Sequence, residues 1–146
     1  MEREKIIIDT DPGQDDAVAI LLALASPELE VIGVTCVAGN VELELTALNA
    51  RKICELAGRT DLSVYAGESK PISRDLVTAK HVHGSSGLDG TDLPYPSKRL
   101  SKIHAVDLLI DTLLASRDNE LVICALGPLT NIGTALEKEP KIAKKI

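Results

Sequence analysis

The sequence predicts an α/β fold, an open and mostly parallel sheet with helices on both faces, resembling a Rossmann-like core. Three observations carry that expectation. Short apolar runs alternate with longer amphipathic stretches along the chain. The 146 residues suffice for one domain with a real core. Hydrophobic residues make up 45% of them but include no Phe, no Trp and only two Tyr. An aliphatic core of that kind suits a helix-covered parallel sheet better than a small β-sandwich.

The elements follow in order. Residues 5–9, "KIIID", form an apolar run that predicts a buried strand, and residues 15–25 predict a helix with Ala17, Val18, Leu21, Leu22 and Leu24 on its inner side. Residues 30–37, rich in Val and Ile, predict a second strand. A second helix is expected over 42–57, stopped by Gly58. Residues 62–66 predict a short third strand. From 67 to 100 the periodicity fails, in a segment holding Gly, Ser, Pro, His81 and His83. Loops of that length in compact domains are functional or disordered. Helix is expected again over 101–116, then a strand over 120–126 and a helix opening at "GPLTN".

That order implies right-handed crossovers between parallel strands. Ligands in such sheets gather beyond the carboxyl ends of the strands, where residues 9–16, 37–40, 67 onward and 126–131 emerge. The chain ends on a short helix, "EPKIAKKI", where a further strand would be expected, so the last strand is left as an open edge. Residues 1–146 are therefore expected to form a single α/β domain that is the first half of a larger fold or needs a partner.

Charge narrows the function. Acidic residues outnumber basic ones 22 to 16, giving −6 at pH 7, and no basic patch of useful size is segregated. Nucleic-acid binding is not expected. "KEPKIAKKI" is read as the cationic last turns of a helix. Cys36, Cys54 and Cys124 are widely spaced, with no C-x-x-C, and fall in expected strands and on a helix face. Buried free thiols are the simplest reading, and they fit a reducing compartment. "MEREK" precedes an apolar run too short for a signal peptide, and no segment reaches membrane-spanning length. A cytoplasmic protein with no membrane partner is expected.

The strongest chemical signal is the crowding of Asp9, Asp11, Asp15 and Asp16 into eight residues, "DTDPGQDD". Pro12 and Gly13 fit a tight turn that brings the strand-end acids near the helix-start acids. Asp15 and Asp16 could simply cap the helix. Capping does not account for Asp9 and Asp11, which would have to stay ionised at a partly desolvated strand end. A hard divalent cation resolves the repulsion, and calcium takes several carboxylate and carbonyl oxygens.

Four stretches in order carry a family resemblance: "DTDPGQDDA", "VAGN" after the second strand, "HVHGSSGLDG" in the long loop and "LGPLTNI" after the fourth strand. Together they resemble the nucleoside hydrolases, the inosine–uridine-type N-ribohydrolases, across the whole chain but over only the N-terminal half of the family's usual length. The resemblance implies Ca2+ as cofactor, held by Asp11, Asp16 and the backbone carbonyl of Leu126. It implies Asp11 as the general base for the attacking water, Asp15 and Asn40 as ligands of the ribose hydroxyls, and Asp9 as a support behind the loop. His83 would lie near the nucleobase and help the leaving group. The implied reaction hydrolyses the N-glycosidic bond of a ribonucleoside, releasing free base and ribose. Positive charge builds on the sugar in such a transition state, and an anionic cluster stabilises it. The family's remaining calcium ligand, leaving-group histidine and ribose-binding set map to no residue here. The isolated chain is therefore expected to be inactive or nearly so, with a homo-oligomer or a complementing C-terminal segment as partner.

Rival readings remain at this level. Gly39–Asn40 is also a common turn pair. His81 and His83, two apart in an extended segment, would point the same way, but no third residue completes a zinc site. His104 is expected to be structural, and Thr130 and Asn131 either to cap a helix or to line the site. A haloacid-dehalogenase-type magnesium phosphatase also carries Asp-x-Asp after a strand, but wants Thr or Val where Gly13 stands. A receiver domain needs an Asp closing the third strand, where Ala66 and Gly67 stand. A non-catalytic nucleoside-binding homologue is the third possibility.

Overall fold

β1 (Glu4–Thr10) lies inside a four-stranded parallel sheet of order β3-β2-β1-β4, in a computed structural model that describes residues 3–146. Met1 and Glu2, the start of the "MEREK" stretch, lie outside the described residues. β2 spans Leu29–Cys36, β3 Val64–Ala66 and β4 Leu121–Ala125. The helices are α1 (Gln14–Ala25), α2 (Leu43–Leu56), the single turn α3 (Lys80–His83), α4 (Ala105–Ala115) and α5 (Thr130–Lys138). A 3-10 helix over Pro140–Lys144 replaces the α-helical turns expected at "EPKIAKKI".

Side chains alternate across β1, as a strand requires. Ile6 and Ile8 enter one apolar cluster with Ile20 of α1 and Ala47, Ala50 and Ile53 of α2. Ile7 enters the other, with Val106, Leu109 and Leu113 of α4 and Ala135 of α5. The sheet is thus covered on both faces, as its apolar sequence requires. Between Ile6 and Ile7 the partner on β2 steps from Val31 to Gly33, so Ile32 is an extra residue. This bulge resets the alternation of β2. Val31 and Val34 therefore enter the same cluster, Ile32 packs against the opposite one, and Thr35 falls beside Asp9.

Four expectations need correction. Val18 and Leu22 of α1 are about two-thirds exposed, while Ile20 is fully buried. α1 is apolar around most of its surface, so periodicity could not choose the buried stripe. His81 and His83 stand on a one-turn helix, not an extended segment, and do not share a direction. α4 begins at Ala105, because the Nδ1 of His104 accepts from the Val106 N–H and caps it; residues 101–104 precede it. Cys36 and Cys54 are buried free thiols as expected, but Cys124 is only half-buried. β4 is an edge strand, with Val122 and nearby Leu126 and Leu129 exposed.

Ile7, fully buried at the sheet centre, is expected to lose about 2–5 kcal/mol of stability on replacement by alanine. Exposed Val122 is expected to lose about 0.5 kcal/mol or less. Urea unfolding of Ile7→Ala and Val122→Ala checks both.

Candidate functional site

At the carboxyl edge of the sheet β1 runs into Asp11, Pro12 and Gly13, and α1 starts at once. The turn divides the four acids into three environments. Asp11 and Asp16 are buried together, each 6% exposed. Asp9 lies deeper, with no exposed surface. The Asp15 side chain faces solvent.

Asp16 has the capping role as well as a place in the cluster. Its Oδ2 accepts from the Gly13 N–H at 3.2 Å, and its Oδ1 accepts from the Thr10 hydroxyl at 3.0 Å. Asn40 joins it to Asp11. The Asn40 N–H donates to Asp11 Oδ2 at 2.7 Å, and its amide nitrogen reaches the Asp11 carbonyl at 2.9 Å and Asp16 Oδ2 at 3.5 Å. Asn40 is therefore more than a turn residue.

Backbone encloses Asp11 on two sides. A Cβ on Gly39 would stand 2.0 Å from Asp11 Oδ2, and one on Gly127 would stand 2.8 Å from Asp11 Oδ1. Only glycine permits so close an approach. Beside Gly39 opens a cleft of about 390 Å3, lined by Arg74, Val77, Pro128, Leu129 and Thr130 among others. That volume lies within the range of small-molecule sites. Thr130 therefore lines this cleft.

Asp9 belongs to a different layer. Its Oδ1 accepts from the Thr35 hydroxyl at 2.6 Å and from the Asn131 amide at 2.9 Å, while its Oδ2 is buried without a partner. Asn131 also donates to the Cys36 carbonyl and accepts from the Glu68 N–H. One carboxamide thus ties α5 to the ends of β1 and β2 and to the segment after β3. The Asp9 carbonyl accepts from the N–H groups of Leu126 and Gly127, which fixes the β4 exit against β1. Thr35 and Asn131 in its present role escaped sequence reasoning because each acts through a contact distant along the chain, and Thr10 because a lone strand-end hydroxyl carries no pattern of its own.

His83 packs its ring against Gly13, where a Cβ would stand 2.6 Å from Nδ1. Its Nε2 lies 4.0 Å from Asp15 Oδ1. His81 is exposed, and the structure brings it to no other functional residue. Leu126 stands at the β4 exit with its side chain partly exposed.

The acids are held against their electrostatic preference. Burial pushes both Asp9 and Asp11 up to about 6, and the neighbouring Asp16 charge also raises Asp11. Burial raises Asp16 as well, against the lowering pull of its Gly13 and Thr10 hydrogen bonds. A bound cation would relieve this strain. The donors are oxygens and anionic, which fits a hard cation such as calcium in kind. In number they fall short, since no group of three or more His, Cys, Asp or Glu side chains that could hold a metal occurs among the described residues.

Residues 6–146 match the family model described as inosine-uridine preferring nucleoside hydrolase. An uncharacterized protein of Schizosaccharomyces pombe is 55% identical over 141 residues, covering 97% of this chain and 46% of that protein. The pyrimidine-specific ribonucleoside hydrolase RihB of Escherichia coli is 41% identical over all 146 residues and 46% of its own length. Among solved structures, a plant nucleoside hydrolase superposes with a TM-score of 0.91 at 42% identity, over 97% of this chain and 45% of that one. The purine-preferring ribonucleoside hydrolase from Gardnerella vaginalis gives 0.91 at 37% identity, over 97% and 46%. The chain spans less than half the length of these relatives. Nothing in these similarities favours a phosphatase or a receiver domain.

The raised carboxyls set a pH dependence. A group whose pKa is higher folded than unfolded favours folding when protonated, and that contribution is lost as pH rises through the folded pKa. For Asp9 the window runs from its ordinary 3.8 to about 6, worth roughly 3 kcal/mol at 1.36 kcal/mol per pKa unit. Without calcium, the melting temperature is expected to fall between pH 4.5 and pH 6.5, and Asp9→Asn to remove part of that slope. Metal binding needs ionised ligands, so any stabilisation by an added divalent cation such as calcium is expected to grow over the same range. Thermal melts across pH, with calcium or chelator, check both.

Proposed function

Because the chain belongs to the inosine-uridine preferring nucleoside hydrolase family, we propose that it supplies the aspartate-bearing part of a calcium-dependent ribonucleoside N-ribohydrolase. The observation that carries this reading is the burial of Asp11 and Asp16 side by side at the carboxyl edge of a parallel sheet, joined by Asn40. Two carboxylates kept from water, with no cationic side chain bonded to either among the described residues, are arranged for a positive ligand.

In this reading Asp11, Asp16 and the Leu126 carbonyl hold the ion, which when bound would orient the sugar hydroxyls and make a water more acidic. Asp11 takes the proton of the attacking water. Its raised pKa places it nearer the range where a carboxylate is an effective base. Asp15, free in solvent, and the carboxamide oxygen of Asn40, whose nitrogen serves the aspartates, meet the ribose hydroxyls. The anionic cluster then faces the positive charge that develops on the sugar as the base departs. Asp9 does not touch substrate. Buried behind the loop, it holds the β1 and β4 exits in register through Thr35, Asn131 and its own carbonyl. His83 stands beside Asp15, where it can meet the sugar or the leaving group.

The donor set also bears on the chain taken alone. Calcium takes six to eight oxygens, and two side chains with one carbonyl leave most of them to water, sugar or further protein. Residues 1–146 by themselves would bind calcium weakly and turn over slowly, with a second copy or a complementing segment completing the site. A reducing, cytoplasmic setting suits the three free thiols.

Calorimetry on the 146-residue chain is expected to show calcium binding in the 10⁻⁴–10⁻³ M class of low-charge sites, with Asp11→Asn abolishing it. Ribose release from inosine and uridine with calcium is expected at or near background. Robust turnover by the chain alone would overturn the incomplete-site reading. A folded chain that binds neither calcium nor nucleoside would overturn the hydrolase reading itself.

A further inference from the structure

Gln14 is the one polar side chain of the "DPGQDD" turn to which the mechanism above gives no role. It opens α1, and its side chain reaches across to the long loop. Its amide oxygen lies 2.5 Å from His83 Nδ1, and its amide nitrogen lies 3.4 Å from the carbonyls of both His83 and Asp89. Those two carbonyls settle which way the amide points. A carbonyl can only accept, so the NH2 group must face them and the amide oxygen must face the ring. An amide oxygen also can only accept, so Nδ1 must carry the hydrogen. The ring also packs against the Gly13 backbone, where a Cβ would leave it no space.

We infer that Gln14 is a positioning residue that locks His83 in the Nδ1–H tautomer, so that neutral His83 presents the lone pair of Nε2 beside Asp15 as an acceptor for a hydroxyl or N–H group of the bound nucleoside. The inference rests on the nucleoside reading for the identity of that donor, but not for the tautomer. Asp15 Oδ1 and Nε2, 4.0 Å apart, are then two acceptors facing one space. A polyol with neighbouring hydroxyls can donate to both. A ring in the other tautomer would put an N–H there and could not accept. Hydrogen bonds to one ring nitrogen that choose the working state of the other are a general device, and here the device is supplied by a residue within the catalytic turn.

The chain carries its own reference. It has three histidines, and His104 Nδ1 accepts from the Val106 N–H, which puts its hydrogen on Nε2. Long-range proton–nitrogen NMR of the 15N-labelled chain at alkaline pH, where imidazoles are neutral, reads each tautomer directly. His83 is expected as Nδ1–H and His104 as Nε2–H. Gln14→Glu keeps an acceptor oxygen and is expected to keep the His83 tautomer. Gln14→Leu removes it and is expected to move the hydrogen to Nε2, the form that free imidazole side chains prefer, with His104 unchanged. A wild-type His83 in the Nε2–H form, or one unmoved by Gln14→Leu, overturns the inference whatever the chain binds. Titration with ribose then tests the acceptor: the His83 Nε2 resonance is expected to shift in the wild type and in Gln14→Glu, and less in Gln14→Leu. If the tautomer holds but Nε2 does not respond to ribose or nucleoside, the positioning role stands and the substrate contact is overturned.

Discussion

Two ionisable acids kept from water side by side are the constraint around which the rest of this molecule is arranged. Asp11 and Asp16 repel each other and lose hydration, and burial raises both. The chain offsets this cost with short polar contacts and, among the described residues, no cationic partner. The Gly13 N–H and the Thr10 hydroxyl serve Asp16, the Asn40 N–H serves Asp11, and one carboxamide spans the pair. Each donor comes from a strand end, a helix start or the loop that leaves β2, so the sheet's carboxyl edge and the acids define each other. A solvent-exposed Arg–Asp pair such as Arg59–Asp61 contributes little by comparison. The acids at the edge need the whole fold to stay where they are.

Behind them Asp9 ties the parts together. Asn131 reaches it from α5 and Thr35 reaches it from β2, and the extra residue Ile32 in β2 brings Thr35 into line. A bulge near the middle of a strand is thus felt two turns of chemistry away, at the β4 exit whose N–H groups rest on the Asp9 carbonyl. The unpartnered Oδ2 of Asp9 is a residual cost of this arrangement.

What could be read from the sequence was local. The strand, turn and helix of residues 5–25, the glycine that ends α2 and the succession of strands and helices along the chain all follow from short-range pattern and turn chemistry. So does the gathering of Asp11, Asp16 and Asn40, because strand ends in such sheets meet at one edge. The inner face of α1 was not legible, since Val18 and Leu22 are as apolar as Ile20 and only the neighbours decide. Nor were the ties made by Asn131, Thr35 and Gln14. Their partners lie 122, 26 and 69 residues away, and no periodicity records a hydrogen bond over such spans. The one-turn helix that carries His81 and His83 was not legible, because a single helical turn leaves no pattern long enough to detect.

The two glycines that press on Asp11 have a consequence for how such a pocket can change over generations. Where Gly39 and Gly127 meet the carboxylate, the wall is bare peptide, and a peptide has no side chain to exchange. Variation there can only add atoms into occupied space. Among the described residues, exchangeable side chains line the cleft instead at Arg74 and Val77 of the long loop. One side of the opening is frozen by its lack of side chains, and the other is left free to diversify.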